Sequence, residues 1–173
     1  YTNQEGILRN TDFNRYTGRL NFERDILHNL SVGITLNASK MEQNGLNNYP
    51  SYANGLSNPF EAIIRTSPAN PIYNDDGSFN YRNRFELGDL VRGDVTTNPL
   101  SDLLNTTAQN ISNTLLGNFS LRYAIIPELV FKVDAGTNIV NATQNYYAPS
   151  YTAGGFQPNG YASVGNRRTD IWQ

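Results

Sequence analysis

The chain has 173 residues, 38% of them hydrophobic and only 16% charged, with a net charge of −2. No basic patch is present, which argues against nucleic-acid binding, and no run of 18 apolar residues exists to form a membrane-spanning helix. The absence of cysteine excludes disulfides and thiol chemistry without fixing a compartment.

Mean hydropathy is −0.52, yet the polarity comes from Asn, Thr, Ser and Tyr rather than from Lys and Glu. After a loop over 3–12, strict alternation predicts a first hairpin with strands at 13–24 and 30–43 joined by a turn at 25–29. Tyr16, Gly18, Leu20 and Phe22 share one face with Leu30, Val32, Ile34, Leu36 and Ala38 of the returning arm. Arg15, Thr17, Arg19, Asn21 and Glu23 share the other face with Ser31, Gly33, Thr35, Asn37 and Ser39.

Residues 44–108 form the largest expected loop. Within it Asn58-Pro59-Phe60 and Asn98-Pro99-Leu100 each place an Asn cap before a Pro, which predicts short helices over 58–65 and 98–104. Between them Asp76-Gly77 marks a turn, with Gly supplying a positive φ.

A second hairpin is expected from strands 109–123 and 129–143 and the turn 124–128, followed by a loop over 144–165 and a last strand at 166–173. Leu115, Phe119, Leu121, Tyr123, Leu129, Phe131, Val133, Ala135 and Ile139 form its apolar face. Asn118, Ser120, Arg122, Lys132, Asp134, Gly136 and Asn138 form the polar one.

Arms of this length match the about 9–11 residues a tilted strand needs to cross a bilayer, and exceed the about 5–6 usual in soluble sheets. The expected fold is all-β: a segment of a transmembrane antiparallel β-barrel with short periplasmic turns and long extracellular loops containing short helices. Phe22, Tyr123 and Phe131 lie near the turns, where an aromatic girdle belongs. Lipid-facing positions of the four arms are expected to carry no charge. Four or five strands cannot close a barrel, the only methionine is the internal Met41, and the sequence ends inside an expected strand, so a piece of a longer chain is expected. A soluble β-sandwich that binds carbohydrate is the alternative, since one wet and one buried face alternate in the same way.

Lumen-lining positions are expected at Arg15, Arg19, Glu23, Asn37, Asn118, Arg122, Lys132, Asp134 and Asn138, with the charges pairing among themselves or facing a plug. Tyr49, Tyr52, Tyr73, Tyr146, Tyr147 and Tyr151 are candidates for stacking on sugars or packing against a partner, with Asp75 and Asp76 as acceptors nearby. The other reading of each tyrosine is loop packing. His28, the only histidine, reads as a solvated turn residue. No nucleophile motif, metal cluster or phosphate-cradling loop appears, so no enzyme, cofactor or metal is expected.

Several blocks are familiar as an ordered set. Tyr1-Thr2-Asn3-Gln4-Glu5-Gly6-Ile7, Arg15-Tyr16-Thr17-Gly18-Arg19-Leu20-Asn21, Pro71-Ile72-Tyr73-Asn74-Asp75-Asp76-Gly77-Ser78, Asn98-Pro99-Leu100, Leu115-Leu116-Gly117-Asn118-Phe119 and Gln144-Asn145-Tyr146-Tyr147-Ala148-Pro149-Ser150-Tyr151-Thr152 resemble barrel stretches of SusC/RagA-type TonB-dependent outer-membrane transporters of Bacteroidetes. The resemblance implies a bacterial outer-membrane location and a 22-stranded barrel around an N-terminal plug that these residues do not contain. It also implies import of glycan fragments or peptides beneath a SusD-like lipoprotein, energy from TonB through the plug, contact with outer-membrane lipids, and a dimer of transporter–lipoprotein pairs. A passive outer-membrane porin would share the wall but not the plug.

Overall fold

The computed structural model describes residues 1–45, 63–64, 68, 71–80, 98–152, 155 and 159–173. Six antiparallel strands form one sheet in sequence order: β1 (Thr2–Glu5), β2 (Asp12–Leu27), β3 (Leu30–Asn44), β4 (Thr107–Ile126), β5 (Leu129–Ala148) and β6 (Tyr161–Trp172). One helix, α1 (Pro99–Asn105), precedes β4. No second sheet covers either face among the described residues. A single sheet in sequence order fits a section of β-barrel wall.

Register places the predicted faces together. Leu20 pairs with Leu36 and Phe22 with Ile34; Ile34 meets Phe119, Val32 meets Leu121, and Leu121 meets Val133. These side chains form a continuous apolar band over which none of the described residues packs. Leu20 is 56% exposed, Phe131 53% and Val133 38%. Cross-strand apolar pairs of this kind stabilise a sheet by about 0.2–1 kcal/mol each. They cannot hide large side chains from water. Among the described residues the buried hydrophobic side chains are Leu103, Ala108, Tyr146 and Ala148, all near the loop end.

The strands differ in extent from the sequence expectation. β1, of which 3–5 were expected as loop, pairs with β2 through Thr2–Arg15 to Glu5–Asp12. The turns shrink from 25–29 and 124–128 to His28-Asn29 and Pro127-Glu128. β4 and β5 each run for 20 residues, and β5 pairs with β6 up to Ala148–Tyr161. Backbone hydrogen bonding continues where apolar alternation stops, so a pattern-based reading ends the strands early. Of the helix expected over 58–65 only 63 and 64 are described, and both are helical.

The two turns are staggered. Ala124 N–H donates to Asn29 O (2.8 Å), so the first turn sits level with Ala124, while the second lies at Pro127-Glu128. Three residues of stagger is about 10 Å, accumulated over two inter-strand spacings of about 4.8 Å each. The strands therefore lean about 45° from the perpendicular to the line joining the turns, the lean of a closed barrel wall. On β5 the apolar face runs from Leu129 to Ile139. Ten steps of about 3.3 Å, projected at that lean, give a band about 23 Å tall. An outer-membrane barrel carries an apolar belt of about 25 Å.

Charge on the apolar face needs a correction. Arg24, opposite Val32, Lys40, opposite Tyr16, and Glu42, opposite Asn14, lie on this face, where none was expected in the arms. They occupy its two margins. The lean of the strands also carries Arg168 and Asp170 of β6, which lie opposite Asn141 and Ile139, above the belt.

Candidate lumen face and loop-end site

All nine expected lumen residues share the face opposite the apolar band. Register aligns Arg19 with Asn37, Asn37 with Leu116, and Leu116 with Asn138. The next rows toward the turns hold Thr35, Asn118 and Gly136, then Glu23, Gly33, Ser120 and Asp134. The last holds Asp25, Ser31, Arg122 and Lys132. A Cβ at Gly33 would meet the Ser120 hydroxyl, which would have to rotate away. Arg15 begins a further row that ends on Arg167 of β6.

This face carries five cations (Arg15, Arg19, Arg122, Lys132 and Arg167) against three acids (Glu23, Asp25 and Asp134). The expected pairing among these charges is absent from the described residues. The ion pairs there lie on the other face, Lys40–Glu42 at 2.6 Å and Arg168–Asp170 at 2.8 Å. Strand geometry explains the difference. Arg122 stands directly opposite Lys132, a like pair, and Asp134 stands opposite Ser120, so register gives neither cation a directly facing acid. Asp25 instead accepts from the Ser31 hydroxyl, and Arg19 Nε donates to Asn21 Oδ1 at 3.3 Å. These charges therefore stand on that face without an ion-pair partner among the described residues.

At the loop end the apolar-band face turns polar and its side chains join across strands. Asn44 Nδ2 donates to Asp12 Oδ1 (3.0 Å), Asn145 Nδ2 to Gln109 Oε1 (3.1 Å), and Thr143 Oγ1 to Asn166 Oδ1 (2.9 Å). These ladders mark strand beyond the belt, where both faces are wet.

Helix α1 starts as its sequence dictates. Asn98 Oδ1 accepts from Ser101 N–H (3.2 Å), Pro99 fills the first helical position, and Asp102 supplies negative charge in the first turn. The Asn98 amide also donates to Ile72 O (2.7 Å), tying the helix to the hairpin at 71–80. Asn10, held at φ 58°, donates to Leu103 O (2.9 Å) and closes the other end. Ser101, Asp102 and Leu103 are buried. This anchor was invisible to pattern reading, because one-turn caps joined across 93 residues leave no periodic signal.

The tyrosine candidates separate. Tyr146 is 5% exposed, clusters with Ala108 and Ala148, and meets Tyr161 at a ring distance of 5.7 Å. It anchors strand ends and offers no free face to a ligand. Tyr147 was expected in a loop; it is in β5, opposite Thr107, on the face of the apolar band and away from the lumen, and is exposed. Tyr73 stacks on Phe79 at 5.1 Å across the hairpin, and Tyr151 is exposed. Asp76 accepts from Ser78 N–H (2.9 Å) and the Ser78 hydroxyl (2.6 Å), with Gly77 at φ 81°, so it builds the turn. Asp75 is exposed beside it. Tyr49 and Tyr52 lie outside the described residues.

A TonB-dependent receptor of Formosa agariphila, P26, is 29% identical over 99% of this chain and 16% of its own length. This chain is similar to TonB-dependent receptors. A second one from the same organism, the TonB-dependent receptor P3, is 24% identical over 98% of the chain and 16% of itself. The chain thus spans about a sixth of the curated receptors it matches. No family model matches it.

Proposed function

We propose that this chain is a section of wall from a TonB-dependent outer-membrane importer. The observation that carries the reading is a single sheet whose apolar face is open along a belt of bilayer height. In water that face would be an aggregation hazard; in lipid it is at rest. The long edges of β2 and β5 near the turns have no partner strand among the described residues. Unpaired backbone in hydrocarbon costs several kcal/mol per group, so further strands close the cylinder. Similarity to TonB-dependent receptors along nearly the whole chain supports the same reading.

The finer assignment is SusC/RagA type, acting with a SusD-like lipoprotein on glycan fragments or oligopeptides, and rests on the ordered sequence blocks. The chain contributes lumen lining and loop scaffold, not catalysis. Uptake of labelled oligosaccharides and oligopeptides in cells lacking the gene, and in cells lacking TonB, tests it. An importer loses uptake in both strains. A passive porin keeps it without TonB.

A further inference from the structure

Both hairpins carry the same irregularity one residue before the turn. In the first, Asp25 pairs with Ser31 and Leu27 with Leu30, leaving Ile26 as an extra residue. In the second, Ala124 pairs with Val130 and Ile126 with Leu129, leaving Ile125 as the extra. A bulge of this kind breaks the alternation of faces. Asp25 and Ala124 belong to the lumen face, so Ile26 and Ile125 turn to the opposite side. Leu27 and Ile126 oppose Leu30 and Leu129, which also belong to the apolar band. Two consecutive aliphatic side chains therefore point the same way in each hairpin. All four are exposed, Ile26 at 59% and Leu27 at 56%.

We propose that these paired bulges seat the hairpin tips in the phospholipid leaflet on the turn side of the membrane. The inference rests on the barrel-wall reading and extends it to a region where regular alternation would send every second residue to water. Two observations select phospholipid as the occupant. The collar is continuous with the apolar belt: from Tyr16, at the far margin, to Leu27 is eleven steps, about 25 Å at the lean of the strands. Arg24, on the same face between Phe22 and Ile26, has no acidic partner among the described residues. A flexible cation surrounded by apolar side chains near a bilayer margin extends toward lipid phosphate.

The chain has no cysteine, so Phe22→Cys, Glu23→Cys, Ile26→Cys, Leu27→Cys, Ile125→Cys and Ile126→Cys each give a unique site within it for a nitroxide label. The full-length protein, freed of any other cysteine, is placed in vesicles of phosphatidylethanolamine and phosphatidylglycerol. Collisions with oxygen and with a water-soluble nickel chelate are then compared. Expected: both members of each bulge pair favour oxygen, while 22 and 23 alternate. Alternation that persists through 26 and 27, or nickel access at both with 22 still in lipid, overturns the proposal and leaves the wall. Nickel access at 22 overturns both. As a second arm that tolerates a failed label, Arg24→Gln loses retained phosphatidylglycerol in native mass spectrometry, whereas Arg19→Gln does not. Equal retention in the two variants contradicts the phosphate contact.

Discussion

The belt and the loop end are built from the same strands but held by different forces. Between Gly18 and Leu27, and between Leu115 and Ile139, one face is greasy, the other charged, and almost nothing is buried. Above Lys40 and Asn113 both faces are polar, side chains bond across strands, and the small core forms around Tyr146, Ala108 and Leu103. The belt draws its stability from the solvent it faces. The loop end carries its own.

That contrast can be broken from either side. The largest effect is expected at the loop end: Tyr146→Ala removes a buried ring and costs about 3–5 kcal/mol, read as a shift in urea midpoint. Tyr147→Ala, one residue on and exposed, stays within about 0.5 kcal/mol. A similar loss at both would deny that the burial difference matters.

In the belt, Leu36→Arg or Val133→Arg costs about 2–4 kcal/mol in a bilayer, measured by folding yield into vesicles. Asn37→Arg, next along the strand and on the lumen face, is tolerated. Equal yields for residues 36 and 37 would reverse or erase the face assignment.

A smaller effect follows from removing the cap. Asn98→Ala loses the α1 N-cap and the bond to Ile72 O, worth about 1–2 kcal/mol together, and exposes the 71–80 hairpin to protease. Smallest is Arg168→Gln, which breaks an exposed ion pair and shifts stability by less than about 1 kcal/mol, fading with salt.

Legibility in the sequence tracked the same division. Period-2 alternation located both hairpins and both faces, because in the belt each residue's chemistry is dictated by its side of the sheet. Where that dictation lapses the signal lapses too. Residues 3–5 are polar on both faces and read as loop, and 144–148, also read as loop, continue β5 and pair with β6. The bulges at Ile26 and Ile125 looked like turn residues because they interrupt alternation. At the loop end the Asn98-Pro99 cap and the Asp76-Gly77 turn were readable locally. What they grip was not, since Asn10 and Leu103 meet only through the fold. Tyrosine chemistry alone could not separate buried Tyr146 from exposed Tyr147.

Tryptophan placed at Val133 or at Asp134, with Trp172 and any other native tryptophan replaced by Phe and in vesicles whose acyl chains carry bromine, puts the greasy and the wet sides of one strand against each other directly. Bromine should extinguish the fluorescence of Val133→Trp and leave that of Asp134→Trp bright. Quenching of both, of neither, or of Asp134→Trp alone would mean that this sheet does not stand in lipid as described.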